Sequence, residues 1–220
     1  MIFEELNGID SECRSYLIGS QEVREAMIVD PLLEGVDGYL ARLRQLGLKL
    51  ALAIDTHTHA DHLSGARELA AATGAKTCGA PRGSVQWPLA EGDRVTLGEV
   101  SARVWATPGH TADSFSLVFE DRILAADVLL IGTTGRTDLP TGDAEQAWQS
   151  MERVLSLPDE TLLFPGHDYA KQAFSTLGEE RRTNNRVLLG HEKFVQAMRE
   201  PRPVKPRRMA EALAWNTRPL

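Results

Sequence analysis

Four apolar stretches of this 220-residue chain each end in a short polar cluster. The clusters are DTHTHADH at 55–62 after LALAI, TPGH at 107–110 after SARVWA, AAD at 125–127 after RIL, and PGHD at 165–168 after TLLF. Short apolar runs bounded by polar residues and glycine are typical of buried strands. Loops at strand ends are where a rigid scaffold presents functional side chains, so we expect these four ends to meet at one rim.

The rest of the chain alternates predicted strands and helices. RSYLIG (14–19) and EAMIVDP (25–31) predict a hairpin, residues 36–47 a helix ending at Gly47, and LSGARELAAATG a helix ending at Gly74. KTCG begins another strand, and the strands from RVTL to RILAADVLL predict a meander. Residues 142–157 predict a helix that starts from the cap-like TGD. From about 174 we expect helices interrupted by the prolines at 201, 203 and 206.

This order predicts an α/β fold in which two β-sheets pack face to face with helices outside. The absence of a long linker or tandem repeat predicts one domain over 1–220, and the tail from about 200 receives no assignment.

Composition excludes several classes of protein. The net charge is −7 and no block of lysine and arginine occurs, which disfavours nucleic acid as a partner. No apolar run is long enough to span a membrane, and the acidic N-terminus lacks a signal-peptide pattern, so a cytoplasmic location is expected. Cys13 and Cys78 lie far apart, outside any CxxC, and are expected to be thiols.

The polar clusters supply a set of metal-ligand side chains. Five of the six histidines and two of the aspartates in these clusters are candidate ligands: His57, His59, Asp61, His62, His110, Asp127 and His167. Imidazole and carboxylate without cysteine suit zinc, iron or manganese. The sixth histidine, His191 in GHEK, is expected to be an ordinary surface residue.

HTHADH resembles the signature of the metallo-β-lactamase superfamily, with His110, Asp127 and His167 in the order of its later ligand motifs. This resemblance implies an αββα sandwich of two mixed sheets with a metal site at one edge. Within the superfamily the chain resembles the persulfide dioxygenases, through YLIG, AMIVDP, DTHTHADHLSG, TPGHT, ADVLLIGTTGRTD and FPGHDY. GRTD at 135–138 is the most discriminating of these segments.

The resemblance implies one Fe(II) per chain, held by His57, His110 and Asp127. It implies that glutathione persulfide, or a similar small persulfide, reacts with O2 to give sulfite and a thiol, and that the protein forms a homodimer. His59, Asp61, His62 and His167 would then lie around the iron or mark a vestigial second metal site. Ligand identity alone does not choose between this mononuclear triad and a dinuclear hydrolytic site.

Four residues are candidates to contact the substrate or to orient the groups around the metal. Arg136 is expected to anchor a substrate carboxylate, although an ion pair with Asp138 is the alternative. Tyr169 could donate its hydroxyl to the substrate or simply pack at the rim. Asp61 is expected to orient a ligand or its water, and Thr111 to present a hydroxyl towards the substrate.

Two other functions compete with the dioxygenase. One is a hydroxyacylglutathione thioesterase of the glyoxalase II type, which would use nearly all seven ligand side chains to hold two zinc or iron ions. GRTD and the short C-terminal region disfavour it. The other is a non-catalytic module that binds metal or persulfide, which the complete ligand set disfavours.

Overall fold

The computed structural model describes residues 1–7, 12–79 and 85–219, and it consists of two facing six-stranded sheets with helices on their outer faces. The strands of the first sheet are β1 (Ile2–Glu5), β2 (Tyr16–Gly19), β3 (Glu25–Val29), β4 (Lys49–Asp55), β5 (Lys76–Gly79) and β6 (Trp87–Pro88), which lie side by side in chain order. The pairs from β1 to β3 are antiparallel and those from β3 to β6 are parallel.

The second sheet is a meander with one parallel pair. Its strands are β7 (Arg94–Leu97), β8 (Val100–Ala106), β9 (Phe115–Val118), β10 (Arg122–Ala126), β11 (Leu162–Pro165) and β12 (Ser175–Thr176), in the order β12-β11-β10-β9-β8-β7. Only β10 and β11 among these pairs run parallel. The crossover between them contains a helix, as a parallel connection requires.

Six α-helices flank the sheets within the described residues. They are α1 (Val36–Leu46), α2 (Ala66–Thr73), α3 (Ala144–Leu155), α4 (Leu177–Thr183), α5 (His191–Arg199) and α6 (Met209–Asn216). The polar TGD before α3 acts as predicted, because the Asp143 carboxylate accepts a hydrogen bond from the Gln146 N–H and caps the helix. Helices α1 and α2 end at Gly47 and Gly74, also as predicted.

Three apolar layers hold these elements together. In β3, Met27 and Val29 face the second sheet, whereas Ala26 and Ile28 face α1 and α2. In β10, Leu124 faces the inter-sheet core and Ile123 faces the helices on the far side of the second sheet. Both sheets are therefore covered on two faces, which confirms the predicted αββα sandwich.

The sequence-based assignment missed β1, β6 and β12. Strand β1 lies at a sheet edge with all four residues half-buried, and β6 and β12 have two residues each, so none carries a strong apolar period. In the tail, α5 ends and α6 begins on either side of the three prolines, as expected. Within the described residues, no helix combines the length and apolar character needed to cross a membrane.

The packing of the two sheets brings the polar strand ends together. The clusters after β4, β8, β10 and β11 all lie at one edge of the sandwich, which confirms that the four strand ends share a rim. A direct hydrogen bond from the Phe115 N–H to the Thr56 carbonyl, 3.0 Å long, joins β9 of the second sheet to the end of β4 of the first.

Substitution of Gly109 tests how closely the backbone segments at this rim pack together. Its φ is +138°, and a Cβ there would lie 2.3 Å from the backbone of Ala147 in α3. We expect Gly109→Ala to lower the free energy of unfolding by about 3 kcal/mol or more in urea denaturation, because strain and a backbone clash combine. Gly74→Ala is the control, since its φ is +76° with nothing within 4 Å, and should cost only about 1–2 kcal/mol. Equal losses in both variants would contradict the clash.

Candidate metal centre

Two histidines and one aspartate converge at the rim. His57, His110 and Asp127 follow β4, β8 and β10, and each is at least nine-tenths buried. One ligand atom from each lies within 4.8 Å of those of the other two. Residues that are 70 positions apart in sequence thus meet because both sheets end at the same edge.

Hydrogen bonds fix the orientation of the two imidazoles. His110 Nδ1 donates to the carbonyl oxygen of Arg136 at 2.7 Å, so its Nε2 keeps the lone pair. His57 Nδ1 lies 3.0 Å from Thr56 Oγ1, and its Nε2 is buried without a hydrogen-bond partner among the described residues. Burial, followed by the neighbouring His59 and His110, lowers the pKa of His57 to about 3, so the ring is neutral at physiological pH.

Asp127 completes the triad with its carboxylate. Oδ1 accepts a 2.8 Å hydrogen bond from His167 Nδ1, and Oδ2 lies 3.4 Å from His110 Nε2. Burial opposes ionisation, but electrostatic attraction to His167 and the hydrogen bond from it outweigh burial and hold the pKa of Asp127 below its usual range. The carboxylate is therefore ionised and oriented towards the two histidines.

The first residue of GRTD has a steric reason to be glycine. A Cβ at Gly135 would lie 2.3 Å from the Asp127 carbonyl oxygen and 3.1 Å from His110 Nδ1. The Gly135 N–H also donates to that carbonyl at 2.9 Å. Any side chain here would displace two members of the triad.

Asp30 supports the triad from behind, and the sequence-based prediction missed it. Its carboxylate accepts hydrogen bonds from the Thr56 N–H at 2.7 Å and the Thr56 hydroxyl at 2.8 Å, and it lies 3.1 Å from His59 Nε2. Thr56 in turn contacts His57, so Asp30 orients this ligand through one intermediate residue. The available signal was an aspartate directly after a buried strand, in EAMIVDP.

His59 belongs to a second group of potential ligands, with Asp30 and Asp55. Its Nε2 faces Asp30, whereas its Nδ1 is buried without a partner. Burial raises the pKa of Asp55 to about 6, and both its oxygens accept from the Ser64 hydroxyl at 2.8 Å. The carboxylates of this group are thus engaged by protein donors.

A third group consists of Asp61, His62, His167 and Cys13, which bond to one another. Asp61 Oδ2 lies 3.0 Å from His167 Nε2, 3.3 Å from His62 Nδ1 and 3.2 Å from Cys13 Sγ. Burial opposes protonation of His167, but Asp127 and the hydrogen bonds to Asp127 and Asp61 raise its pKa well above its usual value. Each ring nitrogen of His167 therefore lies beside a carboxylate oxygen, Nδ1 beside Asp127 and Nε2 beside Asp61.

The donor set fits one first-row metal ion at the triad. His57 offers an unpartnered buried nitrogen, His110 a nitrogen whose lone pair is free, and Asp127 an ionised oxygen, all turned to one point. Two imidazoles and one carboxylate form the facial ligand set of non-haem iron.

A cavity of about 460 Å³ opens onto the triad. Its walls include two triad members, His110 and Asp127, and three of the four candidate substrate or orienting residues, Asp61, Arg136 and Tyr169. The remainder of the lining comes from Glu12, Cys13, Ala60, Leu130, Thr134, Gly135, Leu139, His167, Arg202, Val204, Lys205, Pro206 and Arg207.

The three residues predicted to contact the substrate differ in their burial and in the partners they contact. The Arg136 guanidinium forms the ion pair with Asp138 that was its alternative role, through Nε at 2.6 Å and Nη2 at 2.8 Å. Tyr169 is 57% exposed and stacks on His167 with ring centroids 5.5 Å apart. Thr111 is buried, its hydroxyl lies 2.7 Å from that of Ser114, and it does not line the cavity. Direct substrate contacts by these three residues stay predictions.

The C-terminal helix holds the histidine loop in place. The Asn216 side chain accepts from the Ser64 N–H and donates to the carbonyls of His59 and His62, each at 2.9 Å. Trp215 Nε1 donates to the Ser64 carbonyl, also at 2.9 Å. The tail without a sequence-based assignment therefore contributes directly to the geometry of the site.

Comparison with known proteins agrees with this arrangement. A profile of the Metallo-beta-lactamase superfamily matches residues 9–96 and 77–167. The fold and the site thus define the class of protein as one with a metallo-β-lactamase fold.

Individual relatives narrow the class further. Persulfide dioxygenase ETHE1, mitochondrial, from Bos taurus is 35% identical over 210 residues, which cover 93% of this chain and 83% of the relative. The crystal structure of ETHE1 from Myxococcus xanthus matches with a TM-score of 0.94 at 38% identity, over 99% of each chain. A hydroxyacylglutathione hydrolase from Cereibacter sphaeroides is 32% identical over 213 residues, covering 94% of this chain and 82% of the relative.

The chain therefore belongs to the persulfide dioxygenase family of the metallo-β-lactamase superfamily. The family predicted from HTHADH and GRTD is confirmed.

Asn216→Ala tests the support of the histidine loop. The substitution removes three hydrogen bonds and leaves buried carbonyls unsatisfied, so we expect the free energy of unfolding to fall by about 2–3 kcal/mol. Faster hydrogen exchange at the Ser64 amide would show that the loop itself has loosened. Thr217→Ala serves as the control, because that hydroxyl bonds only within α6, to the Leu213 carbonyl. Native protection of the Ser64 amide in Asn216→Ala would contradict the supporting role.

Proposed function

We propose that this protein is a persulfide dioxygenase that converts glutathione persulfide, or a similar small persulfide, and O2 into sulfite and a thiol. The observation that carries the proposal is the buried His57, His110 and Asp127 triad, in a chain whose relatives include persulfide dioxygenases. One Fe(II) per chain is the proposed cofactor. When bound there, it would supply the one-electron chemistry that lets dioxygen react with sulfur.

The overall reaction balances without an outside reductant. The outer sulfur of the persulfide gives up the electrons that O2 accepts, and both oxygen atoms end on that sulfur. Water provides the third oxygen of sulfite, the sulfur–sulfur bond breaks, and the carrier leaves as a thiol. A cavity that opens onto the triad is all the access this reaction needs.

The protein's own residues keep the triad in a single state. The Arg136 carbonyl holds His110 and Thr56 holds His57, each through Nδ1, so both rings present Nε2. His167 donates to Asp127, which fixes the plane of that carboxylate. We propose that Asp61 acts by orienting His167, since the two are bonded at 3.0 Å.

Tyr169 is proposed to donate a hydrogen bond to the substrate at the mouth of the cavity. The hydroxyl keeps its proton at physiological pH, because an ordinary tyrosine has a pKa of about 10 and partial desolvation raises the pKa of Tyr169 further. Stacking on His167 holds the ring beside the triad while more than half of the side chain stays exposed.

Several coarser predictions also belong to this proposal. One domain over 1–220 is favoured because α6, at the end of the chain, bonds the loop after β4. The homodimer and the cytoplasmic location stay predictions, and the mammalian relatives are named as mitochondrial proteins. O2 and the persulfide are the proposed small-molecule partners, with no nucleic acid or membrane.

Hydrolysis of hydroxyacylglutathione is the second candidate function. The relative from Cereibacter sphaeroides carries that name, and His59, Asp61, His62 and His167 would be available for a second metal. The contacts described above disfavour it, because Asp61 and His167 bond directly to each other and the other nitrogen of His167 bonds Asp127.

Asp127→Ala tests the iron centre. We expect native protein made with excess iron to contain about one iron per chain and to consume O2 with glutathione persulfide. The variant should lose both the iron and at least about 99% of the O2 uptake, because it lacks the only carboxylate of the triad. His191→Ala, at an exposed histidine paired with Glu145, should change neither quantity. Equal O2 uptake in native protein and Asp127→Ala would contradict the ligand assignment.

The variant His62→Gln distinguishes a mononuclear site from a dinuclear site. The mononuclear site predicts that this variant keeps about one iron per chain and stays within roughly tenfold of native O2 uptake, since His62 is not a ligand. A dinuclear hydrolase would instead show about two metal ions in native protein, loss of one of them in the variant, and cleavage of S-lactoylglutathione. Metal analysis by mass spectrometry, together with both assays, gives the answer.

A further inference from the structure

Cys13 lies in the wall of the cavity at the triad, on the segment that leads into β2. It is half-buried and belongs to no disulfide. The second cysteine, Cys78, lies in β5 with a fully buried side chain that packs in the core between the sheets. Of the two thiols, that of Cys13 therefore reaches the cavity and that of Cys78 does not.

Backbone hydrogen bonds hold Cys13 beside His167. The two residues form an antiparallel bridge. Next to it, the Arg14 N–H donates to the Gly166 carbonyl at 2.9 Å. From the other side, Asn7 Nδ2 donates to the Cys13 carbonyl at 2.7 Å. The segment that carries the thiol is thus fixed on both sides, and the thiol has a defined place in the cavity.

The Cys13 thiol has a proton acceptor within hydrogen-bond distance. Sγ donates to Asp61 Oδ2 at 3.2 Å and lies 3.7 Å from His167 Nε2. The same carboxylate oxygen lies 3.0 Å from His167 Nε2 and 3.3 Å from His62 Nδ1, so its position is set by the two imidazoles. A nucleophile bonded to an acceptor that a third group orients is the arrangement found at activated thiols.

An independent feature indicates that the cavity takes a polar ligand. The Thr134 side chain is 4% exposed, lines the cavity, and its hydroxyl is buried without a hydrogen-bond partner among the described residues. Buried hydroxyl groups normally have a partner, so a ligand in the cavity would supply one. Because Cys13 and Asp127 line the same cavity, a persulfide bound there meets a nucleophilic thiol as well as the triad.

We propose that Cys13 accepts the outer sulfur of a persulfide, which gives the protein a second activity as a sulfur transferase. This rests on the proposed function, since it assumes a persulfide in the cavity. Cys13 Sγ bonds to the outer sulfur, the sulfur–sulfur bond of the substrate breaks, and the carrier leaves. The proton of the Cys13 thiol passes through Asp61 to the leaving sulfur, so the carrier departs as a thiol. One sulfur–sulfur bond replaces another, and no oxidant or reductant is needed.

A second exchange returns Cys13 to its thiol form. A small thiol or another sulfur nucleophile attacks the outer sulfur of the Cys13 persulfide and leaves with it. Neither exchange uses O2. Transfer and oxidation therefore compete for the same outer sulfur, and low O2 favours transfer.

Sulfur transfer to Cys13 can be measured without O2. Iron-loaded protein is incubated anaerobically with glutathione persulfide, desalted and treated with cyanide, which removes the outer sulfur of a protein persulfide as thiocyanate. We expect native protein to release about one thiocyanate per chain. Before cyanide, peptide mapping by mass spectrometry should find about 32 Da of added sulfur on the Cys13 peptide and none on the Cys78 peptide. Added sulfur on Cys78 alone, or on neither peptide, would overturn the proposal.

Cys13→Ser and Cys78→Ser are the matched variants. Serine at position 13 keeps a hydroxyl that can donate to Asp61 but cannot hold the sulfur, so this variant should release less than about a tenth of the native thiocyanate. Cys78→Ser should release the native amount, because burial of the Cys78 thiol raises its pKa to about 12 and keeps it unreactive. Equal release from native protein and Cys13→Ser would contradict the assignment. If Cys13→Ser does not fold, the peptide map of native protein still decides.

Asp61→Asn distinguishes an activated thiol from one that is merely accessible. The amide oxygen can still accept a hydrogen bond from Sγ but cannot take up the proton. We expect the rate constant for persulfide formation to fall at least about tenfold, with the sulfur still on Cys13. An unchanged rate constant would mean an adventitious reaction of an accessible thiol, and the proposed transfer would be wrong.

The anaerobic assay separates this proposal from the proposed function. Sulfur on Cys13 in a protein that consumes no O2 with glutathione persulfide would support the transfer and overturn the dioxygenase. O2 uptake by a protein that places no sulfur on Cys13 would overturn the transfer and leave the dioxygenase in place.

Discussion

The site depends on where the Nδ1 atoms of His57 and His110 find their hydrogen-bond partners. Thr56 bonds Nδ1 of His57 and the Arg136 carbonyl bonds Nδ1 of His110, so both rings direct Nε2 to the same point. His57 comes from the first sheet and His110 from the second, which means that the packing between the sheets sets the distance between them. The apolar core between the sheets and the bond from Phe115 to Thr56 are therefore part of the metal centre's support.

The seven candidate ligand side chains could bind one metal ion or two, and their hydrogen-bond partners favour one of these arrangements. Asp127 contacts His110 on one side and His167 on the other, so it connects the triad to the remaining polar residues. Both nitrogens of His167 bond carboxylates. Asp61 contacts His62, His167 and Cys13. In this arrangement the second set of potential ligands is hydrogen-bonded to the triad through His167 and Asp127.

Much of this could be predicted from the sequence because the signals were local. Apolar runs that end in polar residues gave the strands and their common rim, and TGD gave the start of α3. Asp30 was missed although its position after a buried strand was a usable signal, because its role depends on contacts with Thr56 and His59 in the next part of the sheet. The role of Asn216 could not be predicted in this way, because it bonds the backbone carbonyls of His59 and His62 from a tail without an apolar period.

The contacts of Arg136 show that residue type alone does not predict which partner a side chain takes. An arginine in GRTD suggested a carboxylate anchor, with an ion pair to Asp138 as the alternative, and in the structure Asp138 pairs with its bidentate face. Which partner it takes depends on the loop geometry set by Gly135 against Asp127. GRTD thus connects the metal centre at its glycine to the tail at its aspartate.

Anomalous diffraction at the iron absorption edge, from crystals of iron-loaded protein, tests the central claim most directly. The account predicts one iron peak per chain, bonded to Nε2 of His57, Nε2 of His110 and the Asp127 carboxylate, with Asp61 and His167 still hydrogen-bonded to each other. Two metal peaks about 3.5 Å apart, or a single peak among Asp61, His62 and His167, would contradict it.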